Sequence, residues 1–541
     1  MKFFITAAFL LFVSITNAQN SFSIPKPIQN WINKELAKAP NKTLMKDFNK
    51  GKFFAPQKSQ IIGYLKGYNA NATYTTGMIY ADNELTRESH PIVVKINKNG
   101  SFEAAFTLAY PATLNIEIAD LWISFYLEPG QTLALMIDKE KQNKEKLSKG
   151  FYYYKGTAGK INNELAKIDF PATQYQEVMD AAKNISPDDY KQAALLKWKQ
   201  SKTKLLQSFT DKKISAATQK IALANHDIIL AAEMLDYAGY RKQEERMSAN
   251  KIAPTPVSYF DFVNNLNLND KALFTSGSFS TFINRLEYSD PIGEYYRLVN
   301  QSLPLAEQEI SGDAILDSLF YTFAPQKNNL VLQTIHLRAS PSKLRYVFKG
   351  GADDYVTYKM KKFAEPFFQK EFSRIDMIDK KRKNNIGTNL PDTRAGQIFK
   401  SIIAKYKGKR LYVDFWATTC APCIANIKKQ YTLRENFANN PDFDFVFITP
   451  EDQTPKEDYS KFVTEQKLTN THYLNTSDFH YLRELFKFNG IPRYIIIDES
   501  GKLIDDDYQM HNFKWEIGKL YPKYEATANK LIEQELRNVQ N

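Results

Sequence analysis

Val413-Asp414-Phe415-Trp416-Ala417-Thr418-Thr419-Cys420-Ala421-Pro422-Cys423 is the stretch from which the rest of the chain can be read. The apolar run Arg410–Phe415 predicts a short strand, and Ile424 onward predicts a helix, which puts Cys420 at a helix N-terminus. On its own, Cys-x-x-Cys fits half of a zinc site, a redox pair or chance. Tetrahedral zinc takes about four ligands, and Cys420 and Cys423 are the only two cysteines in 541 residues. A structural disulfide across so short a loop would remove little entropy from the unfolded chain. The redox reading needs a strand followed by a cysteine opening a helix, which is the predicted context. There the unpaired N–H groups and positive end of the helix favour thiolate and lower the pKa of Cys420. Cys423, one turn further in, is expected to be more buried and to stay a thiol until needed.

Working outward, Phe443–Ile448 predicts a buried strand, Lys456–Leu468 a helix, Tyr481–Phe488 another helix and Tyr494–Asp498 a strand. Glu499-Ser500-Gly501-Lys502 then turns into Leu503-Ile504. Alternating β and α segments predict an α/β sheet with helices on its faces.

With these residues in hand, the C-terminal part of the chain resembles the thioredoxin superfamily, specifically the TlpA/ResA-like periplasmic thiol-disulfide oxidoreductases. The matching features are Val-Asp-Phe-Trp-Ala before Cys420-Ala-Pro-Cys423, then Asn489-Gly490-Ile491-Pro492 before Ile495-Ile496-Ile497-Asp498, and finally Gly501-Lys502. The resemblance spans roughly 388–541. It implies a thioredoxin-like fold, a mixed sheet flanked by helices, with Cys420 as attacking nucleophile and Cys423 as resolving thiol. It implies that Pro492 is a cis-proline facing the pair and that the Ile491 backbone pairs with an extended substrate. Asp414 matches the buried carboxylate of thioredoxin, whose pKa burial raises, fitting it to take the Cys423 proton; a carboxylate merely hydrogen-bonded at a strand end is the alternative. Trp416 is placed beside the substrate-binding residues, or packs under the active-site helix. Four positions depart from the family. Thr419 stands where tryptophan is usual, Asn426 where glutamate is common, Lys428 where proline kinks the helix, and Arg493 where threonine is common. Lys428 predicts a straighter helix.

Upstream the chain is too long for one core, and its patterning changes twice. Residues 56–140 read as a small antiparallel β domain. Asn99-Gly100 marks one hairpin, and a second is expected from Trp122–Leu127 through Glu128–Gln131 to Thr132–Ile137. Residues 160–378 read as a helical region. In it Ser186-Pro187-Asp188-Asp189 is a helix start, and Ile214, Ile221, Ile228 and Leu235 recur every seven residues, alternating with alanines. His226 and His336 lack metal-ligand spacing. Residues 379–389, with Lys380-Lys381-Arg382-Lys383, read as a solvated linker ahead of a thioredoxin-like domain over 390–541.

Residues 1–18, with Lys2, an apolar run Phe3–Val13 and Ala18, read as a secretory signal peptide. The mature protein is then expected to be exported to the periplasm, soluble and without stable membrane insertion. A net charge of +12 without aromatic interleaving gives no nucleic-acid face. The expected function is an exported thiol-disulfide oxidoreductase reducing protein disulfides, with antioxidant activity possible. No cofactor and no metal are implied. Because no other cysteine can relay electrons, a membrane or periplasmic electron donor is the implied partner. Two alternatives stand beside it: a ligand- or partner-binding protein with an accessory thioredoxin-like domain, and a peroxiredoxin-like peroxidase. The peroxidase pattern is weakened by Val413 and Ala417, which stand where proline and threonine precede its reactive cysteine.

Overall fold

The computed structural model describes residues 23–69, 75–144, 151–247, 252–293, 305–339, 352–383 and 387–540; the expected signal segment 1–18 lies outside them. The first sheet contains β1 (Gln57–Lys66), β2 (Thr76–Tyr80), β3 (Pro91–Ile96), β4 (Ser101–Leu108), β5 (Ala112–Ile118), β6 (Leu121–Leu127), β7 (Thr132–Asp138) and β8 (Tyr152–Gly156). Their order is β6-β5-β2-β3-β4-β1-β7-β8. The Asn99-Gly100 hairpin forms as expected, with Ile96 opposite Phe102 and Gly100 at a φ of 79°.

The second expected hairpin does not form, because β6 pairs with β5 while β7 pairs with β1 and β8. Every residue of β7 is buried, so a hairpin edge would expose what an interior position covers. The Glu128–Gln131 turn is held elsewhere: Met45 N–H and the Tyr126 hydroxyl donate to the Glu128 carboxylate, and Gly130 N–H donates to Ser59 Oγ on β1. β1 and β7 run parallel, so the sheet is mixed where a purely antiparallel one was expected, and β8 extends it beyond residue 140. In a flat sheet β6 and β7 would stand about 29 Å apart, at roughly 4.8 Å per strand. The four-residue link reaches only about 17 Å, so the sheet must curl.

On this sheet α1 (Lys26–Ala37) lays Ile28 and Ile32 against Ile62, Ala134 and Met136. At Gly63, in mid-β1, a Cβ would sit 2.1 Å from the Leu135 carbonyl oxygen and 2.2 Å from the Phe102 ring. Gly63→Ala is therefore expected to destabilise the chain by about 3 kcal/mol, read as a lower urea midpoint at unchanged m-value.

In the helical region, α2 (Pro187–Asp211) begins at Ser186, whose Oγ accepts from Asp189 N–H at 3.2 Å. The next helix, α3 (Ala216–Met247), buries Ile221, Ala224, Ile228, Ala231, Leu235 and Ala238 of the stripe read from the sequence, whereas Ile214 lies ahead of the helix and Ala217 is half-buried. These side chains share one apolar core with the sheet, in which Phe102 and Tyr126 sit with Tyr237 and Phe260. Then α4 (Pro366–Lys383) carries helix through residues read as linker. An i,i+4 ion pair, Lys380 to Asp376 at 3.1 Å, and the good helix propensity of Lys and Arg explain the extension. Thr388, also assigned to the linker, bridges to Leu503.

The second sheet contains β9 (Arg410–Phe415), β10 (Phe443–Pro450), β11 (Thr471–Leu474), β12 (Arg493–Ile497) and β13 (Leu503–Asp505), ordered β11-β10-β9-β12-β13. β9, β10 and β11 are parallel, whereas β12 runs antiparallel to β9 and β13 antiparallel to β12. The longer helices are α5 (Arg394–Ile403), α6 (Ala421–Lys429), α7 (Lys456–Glu465), α8 (Thr476–Phe486), α9 (Phe513–Leu520) and α10 (Glu525–Gln540). Strand alternation sorts β9 between two cores. Leu411, Val413 and Phe415 pack with Phe399 and Phe486 of α5 and α8, while Tyr412 packs with Phe513 of α9 and Leu531 of α10. Asp414 shares the Tyr412 side of the strand. The mixed sheet flanked by helices is the expected thioredoxin-like architecture.

Candidate redox site

Strand β9 ends at Phe415, and five residues later the chain opens α6 with Cys420 as its N-cap and Pro422 in the first turn. Proline is favoured there because the first-turn N–H groups have no helical partner. Cys420 and Cys423 are bonded to each other, with Cα atoms 5.3 Å apart. Cys420 is half-buried and Cys423 fully buried, while Ala421 and Pro422 are exposed. The Cys423 N–H points at Cys420 Sγ at 3.2 Å, the free helix-end donor that would stabilise a thiolate on that sulfur. Cys420 Sγ also lies 3.5 Å from the Ile491 carbonyl oxygen. In the bonded pair this is a contact only; a reduced thiol could donate across it.

The Ile491 carbonyl therefore faces Cys420 from the loop before β12, and the peptide joining Ile491 to Pro492 is cis. Trp416 does not reach the surface. It is 0% exposed and packs on Phe462 at 5.2 Å within a cluster that includes Cys423 and Ile427. Burial leaves it a packing side chain under α6 and excludes a substrate contact.

Asp414 is buried, and neither of its carboxylate oxygens has a hydrogen-bond partner. Burial pushes its pKa up to about 8, against a smaller opposing pull from Arg434. Arg434 was not singled out from the sequence. It stacks over Phe447 and donates to the Ile427 carbonyl at 2.8 Å. That donation takes a carbonyl a continuing helix would use, and α6 stops at Lys429, with Gln430 outside helical geometry before a short helix resumes at Tyr431. The straighter helix expected from Lys428 is therefore not seen.

Tyr494 was also missed, although the β9–β12 register sets it directly opposite Asp414. Burial, then the neighbouring Asp414, raises its phenol pKa, and Asn426 Nδ2 donates to its hydroxyl at 3.3 Å. Asn426 thus ties α6 to β12. Of the other departures, Thr419 is exposed and donates to the Gln453 carbonyl, and Arg493 pairs with Asp507 at 2.6 Å. A cleft of about 720 Å³ runs beside the loop, lined by Asn426, Lys429, Asn489, Pro492 and Tyr494, with Ser89 reaching in from the first sheet's region. Among the described residues no group of His, Cys, Asp and Glu could hold a metal ion, and no helix is long and apolar enough to cross a membrane.

Comparison with known proteins places the match on this region. Residues 386–514 match the model of the Redoxin family. A thiol:disulfide interchange protein of the thioredoxin family from Chlorobium tepidum is 27% identical, the match covering 19% of this chain and 70% of that one with a TM-score of 0.16. The thioredoxin domain of a thiol-disulfide oxidoreductase from Bacteroides vulgatus is 23% identical over 22% of this chain and 83% of that one, with a TM-score of 0.20. "Probable nucleoredoxin 1" of Arabidopsis thaliana is 23% identical over 100 residues, which cover 18% of this chain and 17% of that protein's length. The C-terminal part of this chain is a thioredoxin-like domain of the Redoxin family, bearing its cysteine pair at 420 and 423 and preceded by an N-terminal extension outside the matched residues.

Proposed function

We propose that this chain is an exported thiol-disulfide oxidoreductase that reduces protein disulfides through Cys420 and Cys423. The reading rests on one observation above all: a bonded cysteine pair at the start of α6, with one sulfur reachable beside the Ile491 carbonyl and the other buried. In the reduced pair, the Cys420 thiolate attacks a substrate sulfur, forming a mixed disulfide and releasing the first substrate thiolate. Asp414, ionised near its raised pKa, takes the proton of Cys423. The Cys423 thiolate then attacks Cys420 Sγ, releasing the second substrate thiolate and closing the Cys420–Cys423 disulfide. The substrate gains two electrons and the pair loses two. A membrane or periplasmic dithiol donor restores them by the same exchange in reverse.

Ala421-Pro422 between the cysteines adds no charge or histidine to stabilise the thiolate further, which favours the reducing direction. A reduction potential as high as about −120 mV, that of a strong oxidant, would reverse it. The test is a Cys423→Ser protein, which can attack but not resolve. It is expected to accumulate covalent, dithiothreitol-sensitive adducts with disulfide-bearing proteins of its compartment. No adducts at all would remove the protein-disulfide substrate.

A further inference from the structure

The loop that faces Cys420 is held from outside the redox domain. Asn489 Nδ2 donates to both carboxylate oxygens of Asp82, at 2.7 and 2.6 Å, and Asp82 also accepts from His90 N–H at 2.9 Å. Asp82 and His90 lie in the connection between β2 and β3. From its own domain, the Asn489 carbonyl accepts from Arg483 Nη2 at 2.7 Å. The Asn489 side chain is thus fixed by the extension and its backbone by α8, two residues before the Ile491 carbonyl that touches Cys420.

The attachment is not a single contact. Along one face of α8, Ser477 accepts from Thr75 N–H at 3.0 Å, His480 Nδ1 pairs with the Thr76 hydroxyl at 3.0 Å, and Glu484 accepts from Val93 N–H at 3.0 Å. Positions 477, 480 and 484 fall on one side of a helix, and that side is buried against β2 and β3. Ser89, in the same β2–β3 connection as Asp82, also lines the cleft beside Asn489 and Pro492.

We propose that the N-terminal extension is part of the redox site: Asp82, through Asn489, positions the Asn489–Pro492 loop on which an extended protein substrate docks. Asp82 is a positioning residue, since it touches neither cysteine. The proposal builds on the oxidoreductase reading above. A protein disulfide needs the loop because its chain must lie along the Ile491 backbone. A small aromatic disulfide needs only to reach the half-buried Cys420. The two substrate sizes therefore separate a docking effect from a general loss of structure.

The experiment uses the full chain and two probes, insulin and 5,5′-dithiobis(2-nitrobenzoate). Asp82→Ala is expected to raise the KM for insulin about tenfold, the scale of one lost hydrogen bond, with kcat within twofold. Its rate with the small disulfide is expected to stay within twofold of wild type. Asn489→Asp sets two carboxyl groups against each other and is expected to raise the insulin KM at least as far. The reciprocal Asp82→Asn/Asn489→Asp protein restores a donor–acceptor pair with the roles exchanged, and is expected to return the KM to within about threefold of wild type. Amide hydrogen exchange at Gly490 and Ile491 should quicken in the single variants and slow again in the double. An unchanged insulin KM in both single variants overturns the proposal, as does equal loss with both probes. A wild-type chain inert toward both probes removes the oxidoreductase reading instead, and the exchange rates then decide whether Asp82 holds the loop.

Discussion

Replacing Cys420 with serine is expected to cut insulin-disulfide reduction by about 10³-fold or more, since a serine hydroxyl is not ionised at neutral pH and cannot displace sulfur. The thiolate is the nucleophile, and the free N–H groups that open α6 act on the atom at position 420. Cys423 cannot take over: it is 0% exposed, so a bulky disulfide does not reach it. The substitution is conservative in size at a half-buried helix cap, and serine is itself a favoured N-cap. The variant should therefore fold with a thermal midpoint near that of the reduced wild type. Full retention of activity in Cys420→Ser would remove the dithiol mechanism altogether.

Replacing Asp414 with asparagine is expected to move stability and turnover in opposite directions. In the fold its carboxyl is held up to about 8 by burial, against an ordinary value of 3.8. Between about pH 4 and pH 8 the unfolded chain has therefore lost a proton that the folded chain keeps. By linkage, stability falls as pH rises through that window. At pH 7 the cost is on the order of 4 kcal/mol, at 1.36 kcal/mol for each unit between 3.8 and 7. Asparagine removes this cost, so Asp414→Asn should be more stable than wild type by that order at pH 7 and by almost nothing at pH 4. Denaturant unfolding of the oxidised proteins at the two pH values measures the gap. If the carboxylate takes the Cys423 proton, the same change should slow release of the mixed disulfide by about 10²-fold. It should also abolish an ionisation near pH 8 in the rate profile. A variant that gains stability while resolving at the wild-type rate would leave Asp414 without its proton-transfer role.

The redox domain was largely legible because its signals are local. A strand, a Cys-x-x-Cys at a helix start and an Ile-Pro before a second strand each occupy a few adjacent residues, and the geometry brings Cys420, Cys423 and Ile491 together. Partners set by pairing register or by another segment were not legible. Tyr494 matters because it lies opposite Asp414 across two strands 80 residues apart, and Arg434 because its guanidinium reaches back to Ile427. The misread hairpin has the same origin. Trp122–Ile137 carries two apolar runs and a turn, and nothing local says that Ser59, some seventy residues earlier, holds that turn. Trp416 was ambiguous because a large aromatic beside a cysteine suits either a docking surface or a core.

Full burial of Cys423 beside a half-buried, reachable Cys420 has a consequence for traffic through this site. Whatever oxidises the pair and whatever re-reduces it must both approach Cys420, over the same exposed Ala421-Pro422 corner and the same stretch of Ile491 backbone. On the reading proposed above, client and donor therefore cannot occupy the protein together. Turnover has to alternate between them in a ping-pong cycle, and an excess of either should competitively block the other. The throughput of such an enzyme is governed by the ratio of its two visitors more than by the concentration of either one.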